Sequence, residues 1–152
     1  MTTLGCLLPT VGVLVVGIAL TTQLRAAEPE SEVLALLHLQ QDAWNRHDLE
    51  GFMAGYWKSD ELTFYSGSNV TRGWQPTLDR YRRHYQAAGT DMGKLEFRDP
   101  RVEMLGNDAA FARGEYSLTM PSGKAPHGIF TLILRRFPEG WRIVHDHTSP
   151  VE

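Results

Sequence analysis

Gly128-Ile129-Phe130-Thr131-Leu132-Ile133-Leu134-Arg135-Arg136-Phe137, then Pro138-Glu139-Gly140, then Trp141-Arg142-Ile143-Val144-His145-Asp146-His147-Thr148-Ser149 is the stretch that fixes the architecture. Both long runs are rich in β-branched and aromatic residues, the composition of strands. The short piece between them has the make-up of a hairpin turn. Side chains alternate along a strand, so Trp141, Ile143, His145, His147 and Ser149 are expected on one side. The end of the chain thus carries a pair of imidazoles on an apolar base.

Two similar segments precede this hairpin. Residues 94–105 and 109–120 read as strands joined by Gly106-Asn107-Asp108. Pro121-Ser122-Gly123-Lys124 then leads into the strand over residues 126–137. Pro100 is expected at an edge or a bulge, because it cannot donate to a ladder. These segments predict a four-strand antiparallel meander at the C-terminal end.

The first half has helical spacing. Leu34, Leu37, Gln41 and Trp44 form one stripe of a helix that opens near Ser31, an N-cap type, and ends over residues 45–47. Asp48 suits the cap of a second, shorter helix over residues 49–56, with a catalytic base as its alternative role. Residues 62–66 and 70–72 read as a small hairpin around Gly67-Ser68-Asn69. A third helix follows over residues 75–86, with Pro76 in its first turn and Trp74, Leu78, Tyr81 and Tyr85 on one face. His84, Arg80, Arg82 and Arg83 flank that face as a solvated surface or an anion contact. Helices first and strands later predict an α+β fold, with three N-terminal helices packed on a strongly curved antiparallel sheet.

The turns also predict a register. Ile133 is expected opposite His145 and Thr131 opposite His147. Tyr116 is expected opposite Ile129, Gly114 opposite Thr131, and Val102 opposite Ala112. Opposed residues share a face. One face then gathers Ala110, Ala112 and Gly114 as a row of small residues, with Tyr116, His127, Thr131, His145 and His147 near one end. An apolar recess with a few convergent polar groups is the usual form of a small-molecule site. The expected ligand pocket comprises Tyr65, Tyr81, Tyr85, Tyr116, His127, Thr131, His145 and His147. The opposite face would then hold Phe130, Leu132, Leu134 and Val144 as an uncovered apolar patch, which predicts a homodimer through the outer sheet face.

Composition limits the function classes. The chain has 152 residues with 42% hydrophobic content, enough for one ordinary domain over residues 28–152. Its net charge of −3 gives no basic field, so no nucleic-acid partner is expected. Cys6 is the sole cysteine, which excludes a disulfide framework and Cys-type zinc sites. The apolar run over residues 4–20, followed by Leu24-Arg25-Ala26-Ala27, reads as a signal peptide over residues 1–27. An uncleaved membrane anchor is the alternative, although the run is short for a span. The expected location is exported, periplasmic or secreted.

The order of elements resembles the cone-shaped fold of the nuclear transport factor 2 superfamily, in its SnoaL-like and DUF4440-type branch. Trp44-Asn45-Arg46-His47-Asp48-Leu49, the Gly73-Trp74 helix entry, and residues 140–149 carry the resemblance. It covers residues 30–149. Members include isomerases, cyclases and dehydratases as well as binding and oligomerisation domains, so the resemblance implies a fold and leaves the chemistry open. By position, His147 and Ser149 match the closing His-x-Ser of the branch, and Thr131 a pocket threonine. Ile129 stands where relatives often have an arginine.

Three functions follow as expectations. The first is binding of a small, partly apolar molecule in the cone. The second is a cofactor-free acid/base enzyme of isomerase, dehydratase or hydrolase type, with His147 as the catalytic residue. The third is an assembly module. No metal is expected: a site on His145 and His147 needs a third ligand, for which His127 or Tyr116 is the candidate, and no carboxylate is clearly on that face. No cofactor is expected either, since phosphate-loop, dinucleotide and serine-elbow motifs are missing from the sequence.

Overall fold

The computed structural model describes residues 28–87 and 91–151. The signal or anchor expected over residues 1–27 lies outside the described residues. Among those described, no helix is long and apolar enough to cross a membrane.

The elements run α1 (Pro29–Asn45), α2 (Leu49–Met53), β1 (Thr63–Ser66), β2 (Asn69–Arg72), α3 (Trp74–Tyr85), β3 (Lys94–Met104), β4 (Ala109–Thr119), β5 (His127–Phe137) and β6 (Gly140–Pro150). Helices α1, α2 and α3 cover one face of a curved sheet, as the α+β pattern predicts. Asp48 caps α2, its Oδ1 accepting from the Gly51 amide at 2.8 Å. In α1, Ser31 lies inside the helix and donates to the Glu28 carbonyl instead of capping. The buried stripe of α1 is Val33, Leu36, Leu37, Gln40, Ala43 and Trp44. Leu37 and Trp44 were expected there, whereas Leu34 and Gln41 sit at its margin.

The sheet has six strands in the order β2-β1-β6-β5-β4-β3. The small β1–β2 hairpin is part of it, since β1 pairs parallel with β6 through Thr63–His145, Phe64–Asp146, Tyr65–His147 and Ser66–Thr148. A parallel pair between distant segments leaves no turn signal in the sequence, so this contact escapes local reading. It covers the edge that an eleven-residue β6 would otherwise expose. At the opposite edge, side chains of α1 cap β3. Gln41 accepts from the Phe97 amide at 2.7 Å, and Asn45 bonds both the amide and the carbonyl of Leu95 at 2.7 and 2.9 Å.

Two irregularities set the faces. The first lies at Pro100, where the β3–β4 register shifts between Arg98 and Arg101 and Asp99 takes a φ of 50°. The second lies in β6. Ile133 pairs with His145 but Leu134 pairs with Ile143, so Val144 is an extra residue. Trp141 and Ile143 therefore face inward before the bulge, and Asp146 and Thr148 face inward after it.

The β4–β5 register also differs from expectation by one step. Gly114 pairs with Phe130 and Tyr116 with Gly128. A single step exchanges the two faces of a strand. Phe130, Leu132 and Leu134 are consequently buried, at 4%, 4% and 0% exposure. Burying these three instead of Ile129, Thr131 and Ile133 removes more apolar surface from water, which is what selects this register. Three of the four residues assigned to the outer apolar patch thus form the wall of the core, and Val144, at the bulge, is half-buried. The row of small residues survives with a different purpose. A Cβ on Gly114 would stand 2.9 Å from the Phe130 ring, so glycine here admits that ring to the interior.

Candidate functional site

Between the helices and the inner sheet face lies a cavity of about 150 Å³. It is neither filled nor as large as the several hundred Å³ usual for ligand sites. Aromatic rings form much of its wall. Trp44 and Phe52 come from α1 and α2, Tyr81 and Tyr85 from α3, and Phe97 and Phe130 from β3 and β5. Trp44 meets Phe52, Tyr81 and Tyr85 edge-on, with centroids 5.1, 5.9 and 4.8 Å apart. Edge-to-face contacts at these spacings hold rings in fixed orientations.

Helix α3 brings Arg80, Tyr81, His84 and Tyr85 to this wall because residues one turn apart share a helical face. The sheet supplies Asp146 and Thr148 through the β6 bulge. Asp146 is 4% exposed. Tyr56 donates to its Oδ2 at 2.7 Å and Thr148 to its Oδ1 at 2.8 Å. Both carboxylate oxygens are thereby satisfied, as a buried charged group requires.

Burial pushes the Asp146 carboxyl up from 3.8 to about 6. The Tyr56 and Thr148 hydrogen bonds and the charge of His147 act against this and do not overcome it. Tyr56 and Tyr81 are driven well above the ordinary phenol range, first by burial and then by the charge of Asp146. Both therefore stay protonated, and Tyr56 uses its proton to donate to Asp146. Tyr85 and Tyr116 are raised too, chiefly by burial. The arrangement is a carboxyl that changes charge near pH 6, held by a phenol and a hydroxyl, in an aromatic chamber. Such a group can accept a proton from a bound molecule or return one.

The expected pocket residues separate into two sets. Tyr81, Tyr85 and Tyr116 line the cavity. Tyr65, His127, Thr131, His145 and His147 do not. The corrected register and the β6 bulge turn all but Tyr65 to the outer side, and Tyr65 follows because it pairs with His147 in β1. On that side Tyr65 meets His145 and His147 edge-on at 5.0 and 6.0 Å. The Thr63 hydroxyl and His145 Nδ1 are hydrogen-bonded at 2.6 Å. His145 is lowered from its ordinary value by burial and then by His147. His147 is exposed and lies 3.4 Å from the Ser149 hydroxyl through Nε2. His127 is exposed at the start of β5, with Nδ1 3.3 Å from the Ala125 carbonyl. Among the described residues, no group of three or more His, Cys, Asp or Glu is placed to hold a metal ion.

The site residues that sequence reading missed are Asp146, Tyr56, Thr148 and Gln40. One signal for the first of them was present. Phe130, Leu132 and Leu134 are the more apolar set of β5, and their β6 partners include Thr148 and Asp146.

Comparison with known proteins places the chain. Residues 33–152 match the SnoaL-like domain. A nuclear transport factor 2-like protein of unknown function from Shewanella oneidensis MR-1 is 34% identical, with a TM-score of 0.75, over 80% of this chain and 99% of that one. A protein of unknown function from the DUF3225 family of Pectobacterium atrosepticum SCRI1043 is 24% identical, with a TM-score of 0.65, over 84% of this chain and 94% of that one. A nuclear transport factor 2-like superfamily protein from Salmonella enterica serovar Typhimurium LT2 is 18% identical, with a TM-score of 0.65, over 82% and 92% of the two chains. The last two share the fold with this chain. No protein with a curated description matches it. The match over residues 33–152 and the Shewanella relative together show that the chain belongs to the SnoaL-like domain family of the nuclear transport factor 2-like superfamily.

Proposed function

We propose that this protein binds a small, partly apolar molecule in the aromatic cavity, with a polar group of that molecule against Asp146 and Tyr56. The observation that carries this reading is the buried, raised carboxyl of Asp146 at the wall of an unfilled aromatic chamber. A core built only for stability gains nothing from a carboxylate there, since a charged group is costly to bury. An apolar chamber of about 150 Å³ has been seen to admit a molecule the size of benzene, which sets the scale of the ligand.

The test is mass spectrometry of small molecules extracted from the purified protein, compared with a Leu132→Phe variant whose extra ring volume enters the cavity. A retained molecule that the variant loses supports the proposal. Identical extracts from a folded variant, or no molecule held by either protein, overturn it.

A second reading keeps the same site and makes it catalytic. Asp146, in place of His147, moves a proton, while Tyr81 donates to a carbonyl oxygen. The charge change near pH 6 supports it. Asp146→Asn tests the catalytic reading: loss of turnover in a folded variant supports it, and turnover at the parental rate overturns it.

Export directed by residues 1–27 and self-association through the outer sheet face are separate proposals. The second now rests on Ile129, 54% exposed, and Ile133 beside it on β5. N-terminal sequencing of the mature chain and sedimentation at micromolar concentration test them.

A further inference from the structure

The three arginines of α3 differ in their surroundings. Arg82 Nη2 lies 2.6 Å from Glu50 Oε1, and its Nη1 lies 3.6 Å from Asp79. Arg83 is exposed and does not line the cavity. Arg80 is half-buried, lines the cavity, and forms no ion pair among the described residues. Its Nη1 donates to the Thr71 hydroxyl at 3.0 Å. Its guanidinium carbon sits 5.0 Å from the centre of the Phe64 ring. Thr71 and Phe64 thus fix the guanidinium from the β1–β2 hairpin, while Nε and Nη2 have no acceptor among the described residues. A fixed guanidinium with one free edge matches a planar carboxylate through paired hydrogen bonds.

Arg80 reaches the cavity from α3 and Asp146 from β6, and the charges of both act on Tyr81 between them, Asp146 raising its phenol and Arg80 lowering it. The cavity is therefore polarised, with a cation at the α3 wall and a carboxyl at the sheet wall. Aromatic rings occupy the space between them.

The geometry points to Arg80 as an anion subsite, and to a single-ring carboxylic acid, aromatic or alicyclic, as the class of ligand. The ring of the ligand packs among Trp44, Tyr81 and Tyr85, and its carboxylate meets the free edge of Arg80. The volume of about 150 Å³ limits the apolar part to one ring. This inference rests on the binding function proposed above and adds the charge of the ligand to it.

The test is isothermal titration of the whole protein with matched pairs at pH 7.5: benzoate against benzamide, and cyclohexanecarboxylate against its amide. The expected result is an acid bound at least about tenfold tighter than its amide, the scale of one charge-assisted hydrogen bond. Arg80→Gln removes that preference, Arg80→Lys keeps it within a few fold, and Arg83→Gln leaves it unchanged. The ratio of acid to amide is the readout, so a general loosening of the cavity, which weakens both, does not imitate the effect. Should Arg80→Gln fail to fold, the comparison of Arg80→Lys with the parent at 50 and 500 mM salt still tests the subsite, because ionic contacts weaken with salt. Equal affinity for acid and amide in the parent overturns the anion subsite and leaves the cavity function standing. A preference that persists in Arg80→Gln also overturns it. No binding by any member of either pair sinks both.

Discussion

The two faces of β6 carry different chemistry and obey different physics. Inside, Asp146 and Thr148 are enclosed with Tyr56, and burial controls the charge of the acid. Outside, His145 and His147 stand beside Tyr65, and burial, then the charge of His147, lowers the His145 imidazole. Neighbouring positions in one strand thus differ in environment more than distant positions within the cavity do. The one extra residue at Val144 creates the division. Without it, strict alternation from Ile143 would send His145 and His147 inward and Asp146 out. A bulge beside a candidate site re-aims the side chains that follow it.

The largest expected contrast between the faces is in stability. Ile143 is fully buried, with 0% exposure, on the inner side of the bulge. Ile143→Ala should lower the free energy of unfolding by about 2–5 kcal/mol, from lost transfer energy and the cavity left behind. His147→Ala, at an exposed position, should stay within about 0.5 kcal/mol of the parent. Denaturant midpoints at constant slope read both values. Equal shifts for the two variants would mean that the faces are not divided as described.

The inner face has a second signature, in its response to pH. The Asp146 carboxyl goes from 3.8 in the unfolded chain to about 6 in the folded one. The folded state therefore holds the proton more tightly than the unfolded state. Stability associated with this group is fully present below the unfolded value and is lost as pH rises through about 6. Two pH units correspond to about 3 kcal/mol as an order of magnitude. Asp146→Asn does not titrate at this position. Its stability relative to the parent should therefore improve by about 2–3 kcal/mol between pH 4 and pH 7.5, measured by denaturation at each pH. A difference that stays constant across this range would remove the raised carboxyl. A group that weakens the folded protein at neutral pH fits a site kept for binding or catalysis.

These contrasts show what the sequence could reveal. The elements were legible, because each is bounded by local signals: Asp48 before α2, Pro76 in α3, and the Gly and Pro turns between strands. The β5–β6 pairing was legible as a hairpin, and Thr131 does stand opposite His147, because the extra residue at Val144 offsets by one step the tight turn that pairs Phe137 with Gly140. The facing of that pair was not. It depends on the Val144 bulge and on the Pro121–Lys124 turn, where the Met120 amide bonds the Lys124 carbonyl at 2.8 Å and shifts the register by one. Alternation multiplies such a step over a whole strand. The expected site residues on helix α3 were accordingly placed in the cavity, since helical spacing is insensitive to sheet register. Those on β5 and β6 went to the outer face.

The smallest expected effect tests how far the two faces are electrically separate. His147 stands outside, yet its charge lowers both the Asp146 carboxyl inside and the neighbouring His145. His147→Ala should therefore move both midpoints upward. For Asp146 an attractive positive charge is lost, and for His145 a repulsive one. NMR titration of the carboxyl and imidazole resonances would follow the two groups separately. His145 should recover only part of its displacement, because burial is the larger cause of it. A structural disturbance predicts a different pattern. Letting water into the site would weaken desolvation at both groups, lowering Asp146 and raising His145. Parallel upward movement thus marks a field acting through the strand, and opposite movement marks a breached core. No movement at either group would show that the outer histidines and the inner carboxyl are independent.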